Sequence, residues 1–287
     1  MSCKVCPRRC AARSRGFCGV GEKLLVGRIA PHFWEEPVIS GSKGSGTVFF
    51  SGCSLRCVFC QNRVISHELE GKDISQEELD ARIWQLIEGG VHNINFVTPT
   101  QYALFLAQFL QTHRYPVPIV YNCSGYESEE SLEALRGKVQ IFLPDFKYSD
   151  NTLAAIYSAA PDYVDIARRA LEKMYELVGD VQTDESGLMQ KGVLVRHLML
   201  PNHLENTLGV IDIFDSFAAH KKVLFSLMSQ YTPVGDLAAY PALQRTLTQE
   251  EYDKALNYLE LLGIDGFCQQ LNSAATKYIP PFSASLE

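Results

Sequence analysis

The chain has 287 residues, of which 46% are hydrophobic and 21% are charged, and its formal net charge is −7. These proportions are ordinary for a folded globular protein and allow one α/β barrel or two modest domains. The acidic balance argues against a nucleic-acid partner, which would require a basic surface. No run of 18 apolar residues predicts a membrane helix. The first residues carry cysteines where a signal peptide needs an apolar stretch, so we expect a cytoplasmic protein.

Cysteine usage is the strongest compositional signal. Nine cysteines in a reducing compartment indicate metal or redox chemistry rather than disulfide bonds. Seven of them fall into two clusters along the chain. The other two, Cys123 and Cys268, stand alone, and we expect both to be small buried thiols. Because Cys123 lies at the rim of the predicted pocket, a catalytic thiol is the alternative there.

The first cluster consists of Cys3, Cys6, Cys10 and Cys18. So short a segment cannot bury a core of its own, and a bound metal would supply its folding energy. Four thiolates allow either tetrahedral zinc or a second, fully ligated iron–sulfur cluster, and the sequence leaves both open. We assign residues 1–43 to an N-terminal segment containing this site.

Residues 24–46 are rich in proline, glycine and serine, which predicts a loop-rich cover over the rest of the protein. Glu35 and Glu36 lie within it. The pair could serve acid–base chemistry, but adjacent glutamates are most often exposed, so we expect a solvated surface feature.

Residues 44–287 alternate between two hydrophobic periodicities, which predicts strands followed by helices. Capping boxes at Ser75 with Glu78 and at Thr248 with Glu251 mark two helix starts. Six strands alternating with helices predict parallel βα units in an α/β fold. The predicted strands cover 47–50, 93–97, 117–122, 139–143, 193–200 and 223–228, and the helices 75–88, 101–112, 128–136, 151–159, 162–178, 205–219 and 248–262.

The second cysteine cluster directly follows the first predicted strand, with the spacing Cys53-x3-Cys57-x2-Cys60. Three thiols therefore lie on one loop at the carboxyl end of a strand, where α/β barrels build their sites. They cannot complete a tetrahedral structural zinc site without a fourth ligand. They can hold three corners of a cubane iron–sulfur cluster and leave the fourth iron open.

Polar residues follow the other predicted strands, and in a βα architecture they face the same pocket. Read alone, each of them could equally be a turn or rim residue. These candidates are Thr98 and Thr100, Asn122 and Ser124, Asp145 and Lys147, Arg196, and Gln230.

The segment from Gly52 to Asn62 resembles the cluster loop of the radical S-adenosylmethionine (SAM) enzymes. It is most similar to the glycyl-radical activating branch, whose type member is the pyruvate formate-lyase activating enzyme. The resemblance implies a partial (β/α)6 barrel and a [4Fe–4S] cluster on the three loop cysteines. It also implies that the open iron chelates the amino and carboxylate groups of SAM, with Phe59 near the adenine and Asn62 in the cofactor site.

The resemblance gives roles to the strand-end residues as well. Asp145 and Lys147 match an Asp-x-Lys element near the SAM carboxylate and the substrate, and they are our catalytic candidates. Arg196 is expected to neutralise the SAM carboxylate. Asn122 and Ser124 are expected to bind the ribose or that carboxylate.

The segment after the second predicted strand departs from the family pattern. Most members have Gly-Gly-Glu there and use it to hold the SAM amino group, whereas this chain has Thr98-Pro99-Thr100. We expect the hydroxyls of Thr98 and Thr100, or a backbone carbonyl, to substitute. Gln230, after the last strand, is expected to contact the cofactor.

The activity implied by the resemblance is reductive cleavage of SAM to a 5′-deoxyadenosyl radical, which abstracts a hydrogen atom. A donor such as flavodoxin or ferredoxin would supply the electron, and the branch implies a glycyl radical enzyme as partner. One alternative is the same chemistry on a small molecule, a nucleotide or RNA. An alternative of another class is a non-catalytic metal-binding or electron-transfer protein.

Overall fold

The computed structural model describes residues 2–12, 14, 16–273, 282 and 286. Its strands are β1 (Leu25–His32), β2 (Ser45–Phe50), β3 (Lys72–Asp73), β4 (Ile94–Val97), β5 (Ile119–Cys123), β6 (Ile141–Pro144), β7 (Gln182–Thr183), β8 (Met189–Leu198), β9 (Leu224–Met228) and β10 (Gly266–Cys268). Its helices are α1 (Pro37–Ser40), α2 (Arg63–Ser66), α3 (Gln76–Glu88), α4 (Ala103–Thr112), α5 (Glu129–Ala134), α6 (Asn151–Ser158), α7 (Tyr163–Val178), α8 (Leu204–Ala218) and α9 (Gln249–Leu262).

The central sheet confirms the predicted α/β class. The six predicted strands are β2, β4, β5, β6, β8 and β9, and they pair in parallel in that order. β10 extends the sheet in parallel beside β9, and β1 lies antiparallel beside β2 at the other side. Within the described part of the chain the two outer edges do not pair, so the architecture is that of an open, partial barrel.

The expected loop-rich cover is wrong over its first part, because residues 25–32 form β1 and join the same sheet as the core. The register between β1 and β2 shifts between Val26 and Arg28. Such an irregularity breaks the period-two alternation that identifies a strand in sequence. The boundary expected at residue 44 therefore falls between two paired strands.

The two predicted capping boxes differ in the structure. At α9 the Thr248 hydroxyl and the Glu251 carboxylate each accept from the other residue's backbone N–H, as predicted. At α3 the Ser75 hydroxyl accepts from the Glu78 N–H, but the Glu78 carboxylate binds Lys72 at 2.9 Å instead. The capping box predicted at Ser75 and Glu78 is thus only half formed, because the Lys72 ammonium binds the Glu78 carboxylate.

The segment between β1 and β2 enters the barrel from the amino ends of its strands. We call residues 35–41, which include α1, the barrel plug. The Asn93 side-chain amide, just before β4, donates to the Ile39 carbonyl at 2.7 Å. The Ile39 side chain is fully buried among the inward-facing residues of the sheet, including Val120, Leu143 and Leu194. The plug thereby closes the lower end of the barrel interior.

No helix in the described ranges combines the length and the apolar character that crossing a bilayer requires.

Replacing Ile39 by alanine tests whether the plug is part of the core. The change should lower the free energy of unfolding by about 2–5 kcal/mol, because it leaves a cavity in a packed interior. Urea denaturation followed by circular dichroism measures this loss. The matched control is Ile156→Ala on α6, where the side chain is 51% exposed and the loss should be far smaller. Equal losses in the two variants would show that the plug is not a core element.

Candidate active site

A cleft of about 220 Å³ opens at the carboxyl ends of the parallel strands, above the barrel plug. Parallel strands bring the residues that follow them to one edge, which is why residues far apart in sequence meet here. Twelve of the predicted site residues line the cleft: Cys53, Cys57, Phe59, Cys60, Asn62, Thr98, Asn122, Ser124, Asp145, Lys147, Arg196 and Gln230.

Each sulfur of the Cys53, Cys57 and Cys60 loop accepts at least one hydrogen bond. The donors are the Leu55 N–H at 3.3 Å, the Ser158 hydroxyl at 2.9 Å and the Ser66 hydroxyl at 3.2 Å, in that order. Burial raises the pKa of all three thiols. Thiols in such surroundings ionise when they coordinate a metal. The loop therefore has the chemistry of a buried thiolate ligand set.

The residues of this cleft fit an iron–sulfur cluster with SAM. Three cysteines on one loop leave one iron of a cubane open. The Ser124 hydroxyl is buried in the same cleft with no hydrogen-bond partner among the described residues, and it suits a polar cofactor. Among the described residues, no three His, Cys, Asp or Glu side chains are arranged to hold a single metal ion. That arrangement is compatible with a cluster, because each thiolate of a cluster would bind a different iron and the sulfurs need not meet at one point.

Arg196 is the centre of the polar network on the cleft floor. Its Nε donates to Asp145 Oδ1 at 3.0 Å, Nη1 donates to Glu35 Oε2 at 2.7 Å and Nη2 donates to Asn122 Oδ1 at 2.6 Å. The side chain is only 12% exposed. Arg196 was expected to neutralise the SAM carboxylate. The structure shows that protein groups already hold its guanidinium, and the role towards SAM stays a prediction.

Asp145 and Lys147 form an ion pair, with Nζ to Oδ2 at 2.6 Å. Burial alone would raise the pKa of Asp145, but the charges of Lys147 and Arg196 outweigh it and hold that pKa below its usual value. Burial likewise opposes the charge of Lys147, yet Asp145 and the nearby Cys57 raise its pKa. Both residues therefore stay charged, and the ammonium faces the cysteine loop.

Glu35 and Glu36 are not a solvated surface pair, so that prediction is wrong. Their side chains are only 8% and 6% exposed, and both line the cleft. The barrel plug carries them inside, where Glu35 Oε1 accepts from Asn95 at 3.2 Å and from Asn122 at 3.1 Å. Burial raises the pKa of both carboxyls. Two adjacent glutamates in a sequence do not by themselves indicate that the pair is buried.

The two threonines expected to hold the SAM amino group lie in different places. Thr98 lines the cleft in a left-handed backbone conformation, with φ of 57°. Thr100 lies outside the cleft lining, and its hydroxyl donates to the buried Glu127 carboxylate. The expectation for Thr100 is wrong, because the 3-10 turn that starts there points its side chain towards Glu127. Gln101, in the same turn, donates to the Gly52 carbonyl at 2.9 Å and ties β4 to the cysteine loop.

Aromatic and amide groups complete the cleft wall. Phe59 is buried and packs edge-on against Tyr157 and Tyr231. The Gln61 side chain donates to the Gln230 carbonyl at 3.1 Å, joining the cysteine loop to the segment after β9. Phe59 and Gln230 therefore lie where the sequence placed them, and their cofactor roles stay predictions.

The two isolated cysteines differ from each other. Cys123 is buried, as expected, although it also lines the cleft. Cys268 is exposed on β10, so the prediction of a buried thiol is wrong there. β10 is the outermost strand at its edge of the described sheet, which explains the exposure.

The N-terminal cysteine segment packs directly against the cysteine loop of the cleft. Arg8 donates to the Ser54 carbonyl at 2.7 Å and to the Ser158 carbonyl at 3.0 Å. Gly52, with φ of 79°, comes so close that a Cβ there would lie 2.6 Å from the Cys18 carbonyl oxygen. The two cysteine clusters of the sequence are therefore neighbours in space.

Known proteins resemble this chain in sequence and in fold. The radical SAM superfamily matches residues 47–190. An uncharacterised protein of Methanocaldococcus jannaschii is 32% identical over 275 residues, covering 92% of this chain and 76% of that protein. The structure of methylornithine synthase superposes with a TM-score of 0.50 at 13% identity over 78% of this chain and 70% of that chain. Streptococcus suis SuiB bound to SAM gives 0.48 at 12% identity, over 81% of this chain and about half (48%) of its own.

The likeness to solved structures concerns the fold alone, since the identities are low. The superfamily match covers half of the chain and includes the loop of Cys53, Cys57 and Cys60. The chain therefore belongs to the radical SAM superfamily.

Proposed function

We propose that this protein reductively cleaves SAM to a 5′-deoxyadenosyl radical that abstracts a hydrogen atom from a substrate. The observation that carries the proposal is the position of Cys53, Cys57 and Cys60 on one buried loop, in the same cleft as the charged strand-end residues. A [4Fe–4S] cluster on these thiolates with SAM on its open iron supplies the electron-transfer and radical chemistry. The protein binds and orients the cofactor and the substrate, and it excludes water from the cleft.

Lys147 is the cation best placed to bind the SAM carboxylate. Asp145 occupies one of its three donor positions, and its charge acts on the sulfurs of Cys57 and Cys60. Arg196, by contrast, already donates to three protein groups. In this proposal Arg196 fixes Asp145 and Asn122, and Lys147 provides the ammonium that binds the ligand.

We further propose that the substrate is a glycyl radical enzyme and that flavodoxin or ferredoxin donates the electron in a reducing cytoplasm. The support is the resemblance of the cysteine loop and of Asp145-x-Lys147 to the activating branch. Mixing the reduced protein and SAM with a glycyl radical enzyme should give a glycyl radical signal in electron paramagnetic resonance (EPR). Deoxyadenosine formation without that signal would favour a small-molecule, nucleotide or RNA substrate.

We propose a second metal site at Cys3, Cys6, Cys10 and Cys18. Its support is that Cys6 is buried, within electrostatic reach of Cys3 and Cys18, and that the segment is fixed to the barrel. Four thiolates suit either zinc or a second iron–sulfur cluster. The described side chains do not already surround a single ion, so zinc would require these cysteines to move together.

The triple variant Cys53→Ala, Cys57→Ala, Cys60→Ala should lose the SAM-dependent cluster and all deoxyadenosine formation, because three of its irons lose their protein ligands. Anaerobic reconstitution, iron analysis and chromatography of the products measure this. Cys268→Ala is the matched control and should retain both, since that thiol lies outside the cleft. Retention of SAM cleavage in the triple variant would contradict the proposed function.

Metal analysis of the same triple variant tests the second site. About one zinc per chain indicates a structural ion, and about four irons indicate an auxiliary cluster. Either metal should disappear when Cys3, Cys6, Cys10 and Cys18 are also replaced. A triple variant without any metal would show that the N-terminal thiols are not a site.

Lys147→Gln should weaken SAM binding by about ten- to a hundredfold while the cluster is retained. The reason is that a hydrogen bond to a charged group contributes about 1.5–3 kcal/mol. Calorimetric titration of the reconstituted protein measures the dissociation constant. The control is Lys173→Gln on α7, whose ammonium pairs with Glu133 on α5, outside the cleft lining. Unchanged affinity in Lys147→Gln would remove Lys147 from the cofactor site.

A further inference from the structure

The charges that line the cleft do not balance. Among the described lining residues, three are carboxylic acids (Glu35, Glu36, Asp145) and two are cations (Lys147, Arg196). His32 also lines the cleft, but burial lowers its pKa to about 4, so it is neutral near pH 7. The floor therefore has one carboxyl group more than it has cations.

Among the described lining residues, Glu36 is the carboxyl group that has no cation as its hydrogen-bond partner. Glu35 accepts from Asn95, Asn122 and Arg196, and Asp145 accepts from Arg196 and Lys147. Both of these carboxylates are thus fully engaged.

Glu36 lacks the hydrogen bond to a cation that both Glu35 and Asp145 have. The Ser226 hydroxyl and the backbone N–H of Glu36 itself make hydrogen bonds to its carboxyl, but Oε2 is buried with no partner among the described residues. The nearest cationic atom, Arg196 Nη1, lies 4.0 Å away, which is beyond hydrogen-bond distance. The side chain is only 6% exposed, so bulk water does not readily supply the missing partner. A buried polar atom left unpaired is costly, and this one lies in the wall of a ligand cleft.

We propose that Glu36 is the binding residue for a protonated amine in this cleft. The proposal rests on the proposed function and adds a recognition site to it. An ammonium group would donate an N–H to Oε2 and supply the counter-charge that keeps this carboxylate ionised, against the burial that raises its pKa. A neutral hydroxyl would satisfy the oxygen but leave the charge uncompensated. Two molecules can bring such an amine: SAM, through its α-amino group, or the substrate.

The experiment uses the reconstituted full-length protein as wild type, Glu36→Gln and Glu36→Leu. Both variants remove the charge, and the leucine variant also removes the acceptor at similar volume. Glu127→Gln is the matched control, because Glu127 is also a buried carboxyl but lies outside the cleft lining. The probes are SAM, the SAM analogue lacking the α-amino group, n-butylammonium and 1-butanol, measured by calorimetry and by thermal shift.

If the amine is that of SAM, both Glu36 variants should bind SAM about ten- to a hundredfold more weakly, with unchanged affinity for the desamino analogue. If it belongs to the substrate, SAM affinity should be unchanged. In that case butylammonium, but not butanol, should raise the Tm of the SAM-bound wild type and fail to do so in the variants. Variants that match wild type with all four probes would overturn the proposal. Failure of the wild type to bind SAM would instead overturn the proposed function.

Discussion

The burial of the Arg196 guanidinium is the constraint on which the cleft depends. A charge that is 12% exposed must find its counter-charges and acceptors within the protein. Arg196 finds them in Asp145 after β6, Asn122 on β5 and Glu35 on the barrel plug. One side chain on β8 thus fixes the relative positions of three other elements. Removing either carboxylate would leave a buried charge with too few partners, which costs about 3–5 kcal/mol.

This network explains why the barrel plug belongs to the functional site as well as to the core. Ile39 fills the lower barrel interior, and the same short segment raises Glu35 and Glu36 into the cleft floor. Above the floor, the charged pair of Asp145 and Lys147 lies towards the cysteine loop. The cleft therefore has a cysteine-rich side and an acidic floor. The Lys147 ammonium lies between them, where both the cysteine sulfurs and Asp145 act on its charge.

The sequence predicted the features that depend on local patterns. The six parallel strands follow from alternating periodicities, and the cysteine loop follows from its spacing and from the strand before it. The meeting of Asp145 and Lys147 in the cleft follows from their spacing of two residues. Their positions were predictable because each depends on neighbours in the chain, together with the general rule that parallel strands align their carboxyl ends.

Other features depend on contacts between distant residues, and these the sequence did not reveal. β1 escaped prediction because its register shift hides the alternation. The burial of Glu35 and Glu36 depends on where the plug enters the barrel, and no local pattern records that. Thr100 was misplaced because its hydroxyl follows a turn towards Glu127. Cys268 was misplaced because β10 is an edge strand of the described sheet.

EPR spectroscopy of the reduced protein, before and after addition of SAM, tests the central claim most directly. The account predicts the signal of a reduced [4Fe–4S] cluster whose g values change when SAM is added, because SAM binds the iron that Cys53, Cys57 and Cys60 leave open. A signal that SAM does not alter, in protein fully loaded with iron, would contradict the account, as would the absence of any cluster signal after reconstitution.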